Sequence, residues 1–183
     1  DGGSENDTFN ETTGNGADTI EGGTGTDTVT YDDATTATAV TLTLSSSDMT
    51  ATRATEDDTL TNVERVVGTD ATTDSIDASA LATDLTINLS TGAVSGAANG
   101  LTYVSQFERV TGGSGNDDIT GDTSNNTISS GAGNDTLDGG AGNDTLVGGD
   151  DNDSISGGAG NDTITATDVD GTDTIDGGSG NDV

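Results

Sequence analysis

The sequence predicts an all-β solenoid with essentially no helix, and three observations predict it. A nine-residue unit, rich in glycine at its start and carrying one large apolar residue near its end, recurs at both ends of the chain. Between these blocks, short segments alternate apolar residues with threonine, the period of a strand with one buried face. No stretch carries a convincing 3.6-residue apolar period.

The repeat is clearest from residue 112 onward. Gly112 to Thr120 reads GGSGNDDIT, and 121–129 is a worn copy, GDTSNNTIS. SGAGNDTLD (130–138), GGAGNDTLV (139–147), GGDDNDSIS (148–156) and GGAGNDTIT (157–165) follow without a gap. Ala166 and Thr167 interrupt the spacing, after which DVDGTDTID (168–176) and GGSGNDV (177–183) resume it. Three further copies open the chain: GGSENDTFN (2–10), TGNGADTIE (13–21) and GGTGTDTVT (22–30). The chain thus divides into a repeat block at 1–30, a middle segment at 31–111 and a second repeat block at 112–183.

The consensus is G-G-x-G-x-D-x-U-x, where U is a large apolar residue. Positions one to six read as a turn in which glycine lets the backbone approach a neighbour or an ion closely. Positions seven to nine read as a short strand with one inward side chain: Phe9, Ile20, Val29, Ile119, Ile128, Leu137, Leu146, Ile155, Ile164 and Ile175. One such residue in nine buries too little to offset backbone ordering at about 1–2 kcal/mol per residue. An acidic flexible linker would also be rich in Asp, Gly and Asn, but it has no need of an apolar residue two places after each Asp.

Composition sharpens the problem. Only 27% of the 183 residues are hydrophobic and 2% aromatic, well short of what an ordinary two-layer core requires. The formal charge of −31, from 34 acidic and 3 basic residues, opposes compaction and predicts disorder unless positive charge is supplied. The same charge argues against nucleic acid as a partner, since only Arg53, Arg65 and Arg109 could meet phosphate. No apolar run approaches the roughly 18 residues of a membrane span, so no membrane insertion is expected. Cysteine is absent, which excludes disulfides and thiolate metal sites. Asp1 opens inside a repeat, so further chain is expected to precede it.

The middle segment reads as a tandem duplication with a period of about 44 residues. The stretch beginning DTVTYDDATT at Asp27 matches the one beginning DSIDASALAT at Asp74, and LTNVERVVG (60–68) matches VSQFERVTG (104–112). Val40, Leu42 and Leu44 alternate with threonines, and Leu85, Ile87 and Leu89 alternate likewise, which predicts strands. Asp32–Asp33 and Glu56-Asp57-Asp58 are expected in solvated loops. Glu64–Arg65 and Glu108–Arg109 are expected to be surface ion pairs, worth little. Tyr31, Tyr103 and Phe107 are expected to be packing residues.

The nonapeptide resembles the RTX (repeats-in-toxin) family of hemolysin-type calcium-binding repeats. The resemblance covers about 95 residues in two blocks, and the number of copies in register makes it specific. It implies a right-handed parallel β-roll in which two nonapeptides form one coil and Ca²⁺ is held between stacked turns two repeats apart. The middle segment is then expected to continue the same parallel solenoid with longer coils.

Carried onto this sequence, the resemblance implies carboxylate ligands Asp117, Asp135, Asp153 and Asp173 along one side. Asp144, Asp162 and Asp182 line the other, with Asn126 in the matching uncharged place. Asp7, Asp18 and Asp27 match in the first block. Backbone ligands are implied at the glycine positions: Gly112 and Gly113; Gly131 and Gly133; Gly139, Gly140 and Gly142; Gly148 and Gly149; Gly157, Gly158 and Gly160; Gly177 and Gly178. About six ions are expected in the second block. Asn126 should weaken the sites it shares, and Glu5, Ser124 and Asp151 replace a turn glycine and should strain those turns. The insertion at Ala166–Thr167 breaks the spacing on which the Asp153–Asp173 pairing depends.

No enzyme is expected. The chain has no His, Cys or Lys, which removes the usual general bases and activated nucleophiles, and the regularly placed aspartates are assigned to calcium. RTX proteins are typically exported by type I secretion and fold on meeting extracellular Ca²⁺. The resemblance therefore implies a secreted or cell-surface location and a structural module of a large bacterial adhesin, surface-layer or matrix protein. The competing reading is the repeat tail of a secreted enzyme or toxin. Open solenoid ends are expected to stack end to end or on other surface proteins.

Overall fold

A computed structural model describes residues 1–12, 16–31, 38–53, 56–166 and 171–183; Asp32–Asp33 lie outside them. Among the described residues there are nineteen strands and no helix. The first block supplies β1 (Thr8–Asn10), β2 (Thr19–Glu21) and β3 (Thr28–Thr30). The middle supplies β4 (Val40–Leu44), β5 (Met49–Arg53), β6 (Glu56–Thr61), β7 (Arg65–Val67), β8 (Ser75–Asp77), β9 (Thr86–Asn88), β10 (Ala93–Ser95), β11 (Tyr103–Ser105) and β12 (Arg109–Thr111). The second block supplies β13 (Asp118–Thr120), β14 (Thr127–Ala132), β15 (Thr136–Asp138), β16 (Thr145–Asp150), β17 (Ser154–Ser156), β18 (Thr163–Thr165) and β19 (Thr174–Asp176).

The strands form two sheets. The first runs β1-β3-β7-β11-β10-β9-β13-β15-β17-β19 and the second β18-β16-β14-β12-β8-β4-β5-β6-β2. In the second block successive strands alternate between the sheets, and each pairs in parallel with the strand two further on. Ile119 lies beside Leu137 and Leu137 beside Ile155, steps of 18 residues, or two nonapeptides. Val110, Ile128, Leu146 and Ile164 form the matching row opposite. β-branched residues suit these short pleated segments, and one apolar side chain per strand points between the sheets. The fold is an all-β parallel β-roll.

The middle segment departs from a uniform parallel solenoid. β4, β5 and β6 form an antiparallel meander, and so do β9, β10 and β11. Parallel pairing resumes on both sides of each: β6 with β2, β4 with β8, β7 with β3 and β11, and β9 with β13. Alternating apolar residues fix which face of a strand is buried but leave its direction open. The loop Ser45–Asp48 closes β4 onto β5, with Ser45 N–H donating to the Asp48 carbonyl at 3.0 Å. The two duplicated stretches carry the same strand pattern on exchanged faces. In the first, β3 and β7 belong to the first sheet and the meander to the second; in the second, β8 and β12 belong to the second sheet and the meander to the first.

The buried apolar core is concentrated in the middle. Val40, Leu42, Leu44, Met49, Leu60, Val66, Ile76, Leu85, Ile87, Val104 and Val110 are buried there, together with Tyr31 and Phe107. The repeat blocks contribute the thinner rows of Ile20 and Val29 and of Ile119, Ile128, Leu137, Leu146 and Ile155. Three expected inward residues are incompletely covered. Phe9 and Ile164 are partly buried and Ile175 is 50% exposed, because β1, β18 and β19 are edge strands with a neighbour on one side only.

Candidate metal centre

Each nonapeptide delivers its position-six residue to the corner just before a strand, so parallel pairing stacks these residues coil on coil. The stack is tied by one recurring bond: the backbone N–H of one position-six residue donates to a side-chain oxygen of its counterpart in the next coil. Along one edge Asp117 N–H meets Asp135 Oδ1 at 2.7 Å, Asp135 meets Asp153 at 2.9 Å, and Asp153 meets Asp173 at 2.9 Å. Along the other, Asn126 meets Asp144 at 2.7 Å, Asp144 meets Asp162 at 2.8 Å, and Asp162 meets Asp182 at 3.0 Å. The extra residues near Ala166 leave this ladder intact, since Ser154 still pairs with Thr174 and the added length falls between strands.

The second carboxylate oxygen separates these residues into two kinds. In Asp7, Asp27, Asp135, Asp144 and Asp162, Oδ2 is buried with no hydrogen-bond partner. In Asp117 it accepts the N–H of Gly113 at 3.0 Å, and Asn126 accepts the N–H of Asp122 at 2.9 Å. Asp117 and Asn126 are therefore capped within their own turns, although the Asp117 repeat matches the consensus fully. The reason lies in the neighbouring coil. The Gly113 turn packs against the carbonyls of Ala78 and Leu81, and Gly113 lacks the positive φ seen at Gly131, Gly140, Gly149, Gly158 and Gly178.

Burial makes the uncapped row costly without a cation. Burial, with some repulsion from neighbouring aspartates, pushes Asp135 and Asp144 up to about 6, and burial also raises Asp117. An unpaired carboxylate oxygen out of water is a strong acceptor left unused.

The glycines complete an oxygen-lined pocket. A side chain at Gly139 would stand 2.6 Å from Asp144 Oδ2 and 2.6 Å from the carbonyl oxygen of Gly157 in the next coil. At Gly157 the equivalent neighbours are Asp162 Oδ2 and the Gly177 carbonyl. Gly112, Gly148 and Gly177 likewise abut the carboxylates of Asp117, Asp153 and Asp182. The position-two carbonyls are used otherwise: those of Gly113, Gly140 and Gly158 accept N–H groups of Ala132, Ala159 and Ser179. Gly131 pairs with Gly149, and Gly133, Gly142 and Gly160 stack over carbonyls of Gly115, Ser124 and Gly142. Of the three residues replacing a turn glycine, Asp151 alone adopts a left-handed conformation, with φ 78.

Residues outside the nonapeptides join the same ladder. Asp58 is buried in β6, where Oδ1 accepts the N–H of Asp18 at 2.8 Å and Oδ2 the Tyr31 hydroxyl at 3.1 Å. It is not in a solvated loop; its neighbour Asp57 is exposed. Asp74 is fully buried, bonded to Val40 N–H through Oδ1 and to the N–H and hydroxyl of Thr69 through Oδ2. Glu64 and Glu108 are not simple surface ion pairs either, since they accept the N–H groups of Asp27 and Asp74 at 2.8 and 3.0 Å. Arg65 instead lies over the Tyr103 ring, 3.8 Å from its centroid, and Arg53 is buried beside Tyr31 and Glu56. Tyr31 and Phe107 are core residues as expected.

This donor set suits one kind of metal. Among the described residues no group of three or more carboxylates gathers at one point, so an ion must draw on backbone carbonyls as well. Paired carboxylates with carbonyls are hard oxygen ligands of the sort that hold Ca²⁺. No described helix is long and apolar enough to cross a membrane.

A family model described as the RTX calcium-binding nonapeptide repeat matches the chain in four copies, at residues 12–33, 111–146, 139–168 and 169–183, more than half its length. Comparison with curated proteins gave no significant match.

Proposed function

The chain belongs to the RTX calcium-binding nonapeptide repeat family, and on that footing we propose that it is a structural module of a large secreted bacterial surface protein, folding as extracellular Ca²⁺ enters its turns. The observation that carries this reading is the row of buried Oδ2 atoms without partners in Asp135, Asp144 and Asp162, repeated in Asp7 and Asp27. Asp135, Asp144, Asp153, Asp162, Asp173 and Asp182 would hold the ions of the second block, with carbonyls of position-one glycines such as Gly157 and Gly177. Bound Ca²⁺ supplies the positive charge and the missing partner. The chain's own contribution is to stack those oxygens at fixed register through the N–H ladder.

A chain of charge −31 is kept extended where calcium is scarce and compacts where it is plentiful, which suits export before folding. Catalysis has no part in this reading, because the chain has neither histidine, cysteine nor lysine and its ordered aspartates are committed to the roll. Circular dichroism with hydrogen exchange tests it. Chelation should abolish β signal and amide protection in β13–β19, and millimolar Ca²⁺ should restore both. Mg²⁺ should not, since it demands a tight octahedron and sheds water reluctantly. An unchanged spectrum and unchanged protection in excess chelator would overturn the proposal.

A further inference from the structure

One more pocket has the build of the repeat sites, though half of it comes from outside any nonapeptide. Asp27 is fully buried; Oδ1 accepts the N–H of Asp7 at 2.8 Å, and Oδ2 has no partner. The next coil beneath it is not a glycine turn but the tight corner between β6 and β7. There Asn62, at φ 50, sets its carbonyl oxygen against Gly22, as the Gly157 carbonyl sits against Gly139. Glu64 Oε2 takes the N–H of Asp27 at 2.8 Å, as Asp144 takes that of Asn126. The Glu64 main chain is itself anchored, its carbonyl accepting the N–H groups of Thr102 and Tyr103. Three residues with a glutamate thus reproduce what six residues with an aspartate supply elsewhere.

The duplicated corner provides a comparison within the same molecule. Gln106, at φ 62, sets its carbonyl against Gly68, and Glu108 takes the N–H of Asp74 at 3.0 Å. There, however, Thr69 already fills Asp74 Oδ2 through its N–H and hydroxyl. The two corners match in backbone and in glutamate, and differ in whether a buried carboxylate oxygen is left for a cation.

We propose that Glu64 is a calcium ligand, closing with Asp27 and the Asn62 carbonyl a cation site at the junction of the first repeat block and the middle segment. The site rests on the calcium reading above and extends it past the nonapeptides. At its counterpart, Thr69 takes the place of the ion.

Calorimetric titration of the full chain with Ca²⁺ alone tests this, comparing wild type with Glu64→Gln and Glu108→Gln. Glutamine keeps an oxygen for the Asp27 N–H and removes the charge. Glu64→Gln should bind one ion fewer than wild type, and Glu108→Gln the same number. Equal stoichiometry in wild type and Glu64→Gln, or the same loss in both variants, overturns the assignment. If wild type binds no calcium, the family-based reading fails instead. Should Glu64→Gln not reach the wild-type spectrum in saturating Ca²⁺, Glu64→Asp keeps the charge and shortens the reach. One binding step should then weaken roughly ten-fold or more, as expected for a displaced charged ligand, and an unchanged titration overturns the proposal.

Discussion

Asp144 gives one carboxylate oxygen to the backbone N–H of Asn126, 2.7 Å away in the preceding coil, and keeps the other buried against Gly139 without a partner. The first contact sets register and the second calls for a cation. Asp144→Ala removes both, whereas Asp57→Ala deletes an equal charge from an exposed position in β6. The calcium midpoint for folding of the second block should rise about ten-fold or more in Asp144→Ala, through loss of a charged ligand. It should stay unchanged, or fall slightly, in Asp57→Ala as repulsion eases. Equal midpoints would mean that calcium acts as a diffuse counterion.

Asp58 does the same structural task without an ion. Asp58→Ala would strand the N–H of Asp18 and the hydroxyl of Tyr31, whose burial and proximity to Asp58 keep the phenol protonated as a donor. Two orphaned groups at about 1–3 kcal/mol each predict a loss of roughly 2–6 kcal/mol. The loss should be the same at any calcium concentration above saturation, read from denaturant unfolding. A loss that vanished at higher calcium would contradict it.

Acidity should act with opposite sign on the calcium-free and calcium-loaded roll. Burial raises Asp135 and Asp144 to about 6 from an ordinary value of 3.8, so between those limits the folded state binds more protons than the unfolded one. Calcium-free stability should therefore rise as pH falls from 7 toward 5. Calcium must displace those protons, so its apparent affinity should fall over the same interval. Circular dichroism in chelator and calcium titrations at pH 7.5 and 5 check the two halves. Equal β signal in chelator at the two pH values would refute the first.

Stacking constrains glycines unequally. Gly160, at φ 141, sits so close over the Gly142 carbonyl that a Cβ would overlap it, whereas Gly3, at φ 97, faces open space. Gly3→Ala should cost about 1–2 kcal/mol for the left-handed conformation alone. Gly160→Ala adds a backbone clash and should exceed about 3 kcal/mol. Thermal unfolding of both variants in saturating Ca²⁺ measures the difference, and equal costs would mean that the coils can separate freely.

What could be read from the sequence was what is local. A glycine-led turn, an aspartate at its sixth place and an apolar residue two places later place Asp135, Asp144 and Asp162 without knowledge of their neighbours. The state of Asp117 could not be read this way, because the carbonyls of Ala78 and Leu81 that reset its turn come from a distant coil. Asp58 carried a usable signal in its alternation with Leu60, which puts both on the inner face, but the acidic run around it suggested solvent. The repeated E-R-V marks Glu64 and Glu108, but their adjacent arginines point to surface ion pairs and hide the N–H groups of Asp27 and Asp74 that they accept from other coils. The meanders stayed hidden because alternation specifies a face and not a direction.

Because the duplicated stretches exchange faces, together they lay five strands on each sheet. Each stretch lays three strands on one sheet and two on the other. With strands about 4.8 Å apart and sheets about 10 Å apart, a single stretch would act as a wedge tilting the axis by roughly 25°. The second stretch, with its thick side on the opposite sheet, would cancel that tilt. A roll with an even number of such inserts should therefore stay straight, and one with an odd number should bend.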